Sequence, residues 1–178
     1  PELLPFVDVE TMKDLSNLYY APVVQIGVGM NDCGNNQWLA FGGLVPSREK
    51  KQVLGILFPS ACFEGRSPER GAAMAYFIGG ARHPEMLKKT DAEFETLVNN
   101  YLVEMLKFPT GTKADAIKVF RHERAIPQYE ASSDARLAAV DKLQKQYPTL
   151  RIAGNLRDGI GMGDRIKQGF DEAEILCR

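Results

Sequence analysis

Val23-Val24-Gln25-Ile26-Gly27-Val28-Gly29-Met30 decides the fold class, because it is rich in β-branched residues and alternates loosely between apolar and small or polar positions. It reads as a strand. A second apolar run, Trp38 to Val45, ends at Pro46-Ser47, and between the two lies Asn31-Asp32-Cys33-Gly34-Asn35-Asn36, dense in residues that accept tight turns. An antiparallel hairpin is the economical connection. Val53 to Phe58 and Ala72 to Ile78 continue the pattern across a polar loop holding Gly65, Pro68 and Gly71. The expectation is a four-stranded meander in chain order.

Beyond residue 90 the period changes. Thr90-Asp91-Ala92-Glu93 fits a capping box, and Phe94, Leu97, Val98, Tyr101, Leu102, Met105 and Leu106 recur at helical spacing until Pro109. Ala116 to Arg121 alternates like a strand and leads through a polar stretch into Ile126-Pro127-Gln128-Tyr129. A second helix follows, capped by Ser132 or Ser133, with Leu137, Val140, Leu143 or Gln144, and Tyr147 on its buried face and Pro148 past its end. Leu150 to Ala153 reads as a short strand, Gly154 to Gly163 as a glycine-dense turn, and Asp164 to at least Gly169 as a helix. The chain is therefore expected to be α+β, with an antiparallel or mixed sheet of roughly four to six strands and about three main helices.

The 178 residues are 44% hydrophobic and 25% charged, enough to bury a real core, which excludes disorder. The 22 Lys+Arg balance 23 Asp+Glu and form no basic stripe, so nucleic acid is not an expected partner. No apolar run approaches the roughly 20 residues that cross a bilayer, and Pro1-Glu2-Leu3-Leu4-Pro5 lacks the pattern of a signal peptide. Cys33, Cys62 and Cys177 lie far apart, and His83 and His122 have no partner at a ligand spacing, so free thiols, no metal and a reducing, cytoplasmic setting are expected. The absence of an initial Met suggests a piece of a longer protein. No side chain stands out as a catalytic acid, base or nucleophile.

The strongest chemical signal is Ile152 to Asp164, a strand-like start, glycines at 154, 159, 161 and 163, then a helix start. Glycines let backbone N–H groups approach a ligand, and a helix N-terminus presents unpaired donors, so the arrangement suits a phosphate or a flavin ring. It equally suits a plain turn. Gly27-Val28-Gly29 begins like a dinucleotide fingerprint, but Asp32 stands where the third glycine belongs and a turn follows, so it is rejected. Trp38, Phe41, Phe58, Phe63, Tyr76 and Phe77 can line a pocket for a flat apolar ligand or fill a core.

Phe41-Gly42-Gly43-Leu44-Val45-Pro46-Ser47, Val53-Leu54-Gly55-Ile56-Leu57, Phe77-Ile78-Gly79-Gly80, Ala125-Ile126-Pro127-Gln128-Tyr129 and the Ala153 to Gly169 segment follow one another in an order and spacing that resemble the oxygen-dependent, FAD-containing protoporphyrinogen or coproporphyrinogen oxidases of heme synthesis. The resemblance covers the second half of that family, about residues 20 to 170, and the glycine segment alone is shared more loosely with amine oxidases and phytoene desaturases. It implies that residues 1–120 belong to a porphyrinogen-binding substrate domain and 121–178 to a segment returning to the FAD domain. It further implies that Phe41, Leu44 and Phe77 wall the substrate pocket, and that Gly154, Gly159, Ile160, Gly161 and Met162 approach the flavin. His122 joins the cofactor contacts because relatives often carry an aromatic residue near FAD just ahead of the Pro-Gln-Tyr block. Porphyrinogen and O2 are the implied reactants; peripheral membrane association and a homodimer stay open. The upstream Gly-x-Gly-x-x-Gly that would hold the FAD diphosphate is not in this sequence. Two other readings stay open, an amine oxidase or phytoene desaturase relative, and a tetrapyrrole-binding module without redox work.

Overall fold

The computed structural model describes residues 3–36 and 40–177, which divide into two compact units. One is the continuous stretch Ala21–Ala125, and the other combines Pro1–Tyr20 with Ile126–Arg178.

The continuous unit is built on a five-stranded sheet: β1 (Tyr20–Met30), β2 (Gly42–Leu44), β3 (Val53–Leu57), β4 (Ala72–Gly79) and β5 (Ala116–Pro127), in spatial order β2-β3-β4-β1-β5. The β2–β3, β3–β4 and β4–β1 pairs are antiparallel. So is β5 against β1: Gln128 N–H donates to Tyr19 O (2.9 Å) at one end, and Asp115 N–H to Gly29 O (3.0 Å) at the other.

β1, β3, β4 and the start of β5 fall where the sequence places them, and β5 runs on past Arg121 to Pro127, but the expected β1–β2 hairpin does not form. β1 pairs with β4, from Val23 opposite Gly79 to Met30 opposite Ala72. The physical reason is burial. β1 sends Val24, Ile26, Val28 and Met30 into the core and belongs mid-sheet, whereas the three-residue β2 is largely exposed and suits an edge. The turn residues after β1 lead the chain away from it: Asp32 accepts from Gly34 N–H (2.7 Å), Cys33 N–H donates to Arg70 O (2.8 Å), and Asn31 N–H donates to the Asp115 carboxylate (2.7 Å). Residues 37–39, and with them Trp38, lie outside the described residues.

One face of the sheet is covered by the helix expected from Thr90. Two shorter elements come first in chain order, α1 (Val9–Ser16) in the other unit and the single turn α2 (Pro59–Cys62), so this helix is α3 (Asp91–Glu104). Its capping box is complete: Thr90 Oγ1 accepts from Glu93 N–H (3.3 Å), and the Glu93 carboxylate accepts from Thr90 N–H (2.8 Å). Those bonds, led by the Thr90 N–H, hold the Glu93 carboxyl below its usual range. Phe94, Val98 and Leu102 are fully buried in one cluster with Val24, Ile26, Ile56, Tyr76 and Ile78. Arg121 of β5 reaches to the same side, donating to Leu87 O (3.2 Å) and Lys89 O (2.7 Å), pairing with Asp91 (2.7 Å) and lying 5.5 Å over the Phe94 ring.

The discontinuous unit holds α1, α4 (Ser133–Gln146) and α5 (Met162–Leu176). α1 was not anticipated; Met12 is its one buried residue, and Asp8 caps it by accepting from Thr11 N–H (2.8 Å). It packs on α4, with Phe6 edge-on to Tyr147 at 5.2 Å. The buried face of α4 is Arg136, Ala139, Val140 and Leu143, whereas Leu137 is 39% exposed, contrary to expectation. Arg136 turns inward to donate to Leu156 O (3.3 Å) and Ser133 Oγ (2.9 Å), which rotates the face by one residue. Ser132 occupies the N-cap without a side-chain cap bond. Leu150 to Ala153 is not a strand. Its backbone is satisfied locally instead: Leu150 N–H closes a turn on Tyr147 O (2.8 Å), and Ile152 N–H donates to the Gln144 side chain (2.9 Å).

Candidate functional site

The sheet has a second face, opposite α3, on which Leu44 is exposed, Gln25, Leu57 and Phe77 are half-buried, and Gly55 and Ala75 are buried. Leu44 lies opposite Gly55, Gly55 opposite Phe77, and Phe77 opposite Gln25, so these four form one row on that face. The next rows carry Leu57, Ala75 and Gly27, then Ala73 and Gly29. Ala116 completes the last of these, its Cβ being 3.4 Å from where a Cβ on Gly29 would stand. Alternation from Ala116 puts Lys118, Phe120 and His122 on the same face, and the inward turn of Arg121 fixes that parity independently. The result is a floor of small residues, with Leu44 (87% exposed), Phe77 and Phe120 rising from it. Four strand spacings of about 4.8 Å make it roughly 19 Å wide. Small residues are needed here: a Cβ on Gly55 would stand 2.8 Å from Gly43 O, and one on Gly42, whose φ is +154°, would stand 2.4 Å from Ile56 O.

Phe41 precedes β2, with its carbonyl accepting from Phe58 N–H (2.9 Å) and its residue 69% exposed, so it is not a core residue. Phe58 and Tyr76, by contrast, are core. Burial pushes the Tyr76 hydroxyl well above the ordinary tyrosine range.

The second surface is the turn from Gly154 to Gly161, held by side chains from every side within its own unit. Tyr129 Oη donates to Asn155 O (2.8 Å) and Gly159 O (3.2 Å), and Tyr20 Oη to Asn155 Oδ1 (3.3 Å). Arg165 donates to the carbonyls of Gly154, Arg157 and Asp158. Gln168 accepts from Gly154 N–H (2.8 Å) and donates to Asp158 Oδ2 (2.7 Å), while Glu172 accepts from Arg151 and Arg157. Gly159 has φ +95°, and a Cβ there would lie 2.5 Å from Asp164 Oδ2, so glycine is required. Gly161 has φ −67° and forms the N-cap of α5.

The turn ends with Ile160 (48% exposed) and Met162 (80% exposed) beside the start of α5, whose first N–H groups have no intrahelical acceptor. Apart from its chain neighbours and the local helix backbone, no atom of the described residues lies within 4 Å of a Cβ placed on Gly163. The Asp164 carboxylate accepts from Gly161 N–H (3.2 Å) and places negative charge at this helix end. That charge disfavours a diphosphate at this helix end.

The sequence-chosen residues thus fall into two groups. Leu44, Phe77 and His122 share the sheet face opposite α3 with Phe41 at its margin, whereas Gly154, Gly159, Ile160, Gly161 and Met162 form one turn in the other unit. Tyr129, Arg136, Arg165, Gln168, Glu172 and Phe120 were missed. Phe120 was within reach of strand alternation, and the 165/168/172 spacing marks one helix face. Among the described residues no group of His, Cys, Asp and Glu could hold a metal, and no helix is long and apolar enough to cross a membrane.

The model of the flavin-containing amine oxidoreductase family matches residues 1–177. Protoporphyrinogen oxidase 2, chloroplastic/mitochondrial, of Arabidopsis thaliana is 33% identical over 76% of this chain and 27% of its own length. The mitochondrial protoporphyrinogen oxidase of Nicotiana tabacum is also 33% identical, over 76% of this chain and 27% of its own. This chain therefore spans about a quarter of the length of these two relatives. The crystal structure of a candidate protoporphyrinogen oxidase from Exiguobacterium sp. 255-15 superposes with a TM-score of 0.76 at 16% identity, over 99% of this chain and 39% of that one, which shows the shared fold. A match along nearly its whole length, on a fold that carries the expected sheet and glycine turn, establishes that the chain belongs to the flavin-containing amine oxidoreductase family.

Proposed function

We propose that this chain supplies the substrate floor and the flavin-side turn of an FAD-dependent oxidase that converts protoporphyrinogen IX or coproporphyrinogen III to the porphyrin, with O2 as acceptor. The observation that carries this reading is the row Leu44–Gly55–Phe77, in which an exposed leucine and a half-buried phenylalanine flank a glycine across three strands. A porphyrinogen is a large, mostly apolar macrocycle with carboxylate tails, and its ring can lie flat on such a floor between Phe41, Leu44, Phe77 and Phe120. Lys118, on the same face and without an ion-pair partner among the described residues, is placed to meet a carboxylate tail. Residues 1–120 are assigned to the substrate-binding portion, and the returning segment, residues 121–178, to the cofactor domain.

In the turn, Gly154, Gly159, Ile160, Gly161 and Met162 would hold the flavin, and its chemistry when bound is acceptance of a hydride from the substrate's bridge carbon. The chain's own task there is to present backbone donors and exclude water with Ile160 and Met162. His122 is assigned to the same cofactor. An amine oxidase or phytoene desaturase would share the turn but need not share the Phe41–Ser47 block, which favours the porphyrinogen reading.

The test has two arms. The 178-residue chain alone, lacking the diphosphate fingerprint, should purify colourless, because a few donors to the ring cannot offset the roughly 4 kcal/mol or more that binding costs in lost freedom. The full-length protein should turn protoporphyrinogen or coproporphyrinogen into fluorescent porphyrin while consuming O2. A full-length protein that bears flavin yet oxidises only amines or carotenoid precursors would falsify the substrate assignment.

A further inference from the structure

We infer that Arg165, Gln168 and Glu172, on the inner face of α5, are positioning residues that set the shape of the glycine turn from behind; the inference rests on the reading of that turn as the flavin contact. The three stand at i, i+3 and i+7 of one helix and so share a face. Arg165 spans the turn with one guanidinium, donating to the carbonyl of Gly154 and, at 2.9 Å each, to those of Arg157 and Asp158. Gln168 works in both directions, accepting from Gly154 N–H at 2.8 Å and donating to Asp158 Oδ2 at 2.7 Å. Glu172 binds Arg151 ahead of the turn and Arg157 in its middle.

Two features separate this from ordinary packing. The first is what the helix buries within this chain: Gln168 and Glu172 are 6% and 8% exposed, and both bond to the turn or its flanks. Burying an amide and a carboxylate is unfavourable unless each is fully bonded, and here the turn supplies the partners. The second is the backbone conformation: Asp158 has φ +60°, which costs a residue with a Cβ something even though Asp tolerates it better than most, beside Gly159 at +95°. Arg165 and Gln168 grip Asp158 by its carbonyl and its carboxylate, so the segment that delivers Ile160 and Met162 leaves Gly159 in one direction only.

The test compares the full-length flavoprotein with Arg165→Lys, Gln168→Met and Gly159→Val. The readouts are FAD dissociation constant, flavin absorbance at full occupancy, amide hydrogen exchange across residues 154–159, and melting temperature. A lysine is a point charge and cannot span three carbonyls. Arg165→Lys and Gln168→Met should each weaken FAD at least about tenfold, shift the flavin absorbance and speed exchange in the turn, with exchange in residues 21–125 unchanged. Wild-type affinity and spectrum in Arg165→Lys, with Gly159→Val impaired, would overturn the inference and leave the flavin reading standing. Wild-type affinity and spectrum in Gly159→Val would overturn the flavin reading itself. Faster exchange with an unaltered flavin would make the network merely structural and also defeat the inference. Should Arg165→Lys fail to accumulate, the uncharged, similarly sized Gln168→Met is judged by the same criteria.

Discussion

Leu44→Ala in the full-length protein separates substrate binding from folding better than any other change on the sheet face. Leu44 is 87% exposed on an edge strand, so truncating it removes almost nothing from the folded core, and the loss of stability should stay below about 0.5 kcal/mol. If the macrocycle lies on the row that Leu44 shares with Gly55 and Phe77, binding buries the side chain. Losing two to three buried carbons at about 0.8 kcal/mol each then costs about 2 kcal/mol, or roughly thirtyfold in KM. The turnover number should hardly move, because the lost contact is made equally in the bound substrate and at the transition state. Steady-state oxidation followed by porphyrin fluorescence gives KM, and a urea melt on the same preparation gives stability. An unchanged KM with an unchanged melt would refute the floor as the substrate surface. An unchanged KM with a clear loss of stability would instead make Leu44 a packing residue, against its exposure.

Phe94→Ala should cost about 3 to 5 kcal/mol in a urea melt, because the ring is fully buried and also lies under the Arg121 guanidinium; a loss below about 1 kcal/mol would mean that α3 is not the cover of this core. Tyr76→Phe should be neutral or stabilising by about 1 kcal/mol, since the buried hydroxyl has no hydrogen-bond partner among the described residues. Its pH signature follows from the raised ionisation: wild-type stability is complete below the unfolded-state value of 10.0 and falls as pH climbs past it, and Tyr76→Phe should lose that alkaline slope. Melts at pH 8 and at about pH 10.5 check the slope, and an identical slope in the variant would count against burial as its cause.

Local patterns carried the sequence reading far, and failed where one residue's partner is distant. Thr90 and Glu93 are three residues apart, and their capping box could be read and is present. β1 could be read as a strand, but not its neighbour: the choice between β2 and β4 depends on how much apolar surface each buries. Leu150 to Ala153 shows the converse, a strand-like tetrapeptide whose Leu150 amide closes a turn on Tyr147 O and whose Ile152 amide found the Gln144 side chain, with no partner strand among the described residues. In the candidate site, Leu44 and Phe77 were legible through a resemblance, and the register then explained their association through Gly55. Arg165, Gln168 and Glu172 were not legible because polar residues at helical spacing normally mark a solvated face. Tyr129 was quoted as part of a signature, yet its role as a strut under the glycine turn needed the coordinates.

The division of the chain has a consequence for synthesis on the ribosome. Residues 21–125 are contiguous, so every partner of β1, from β4 to the first part of β5, has emerged once Ala125 is clear of the exit tunnel. The other unit is split, and α1 must wait for α4. At roughly 5 to 20 residues per second, the stretch from 126 to the end of α4 at Gln146 takes about 1 to 4 s to appear. Through that interval α1, which buries only Met12 on its own account, travels as an orphan beside a finished sheet, and it is the segment on which a chaperone would have most time to act.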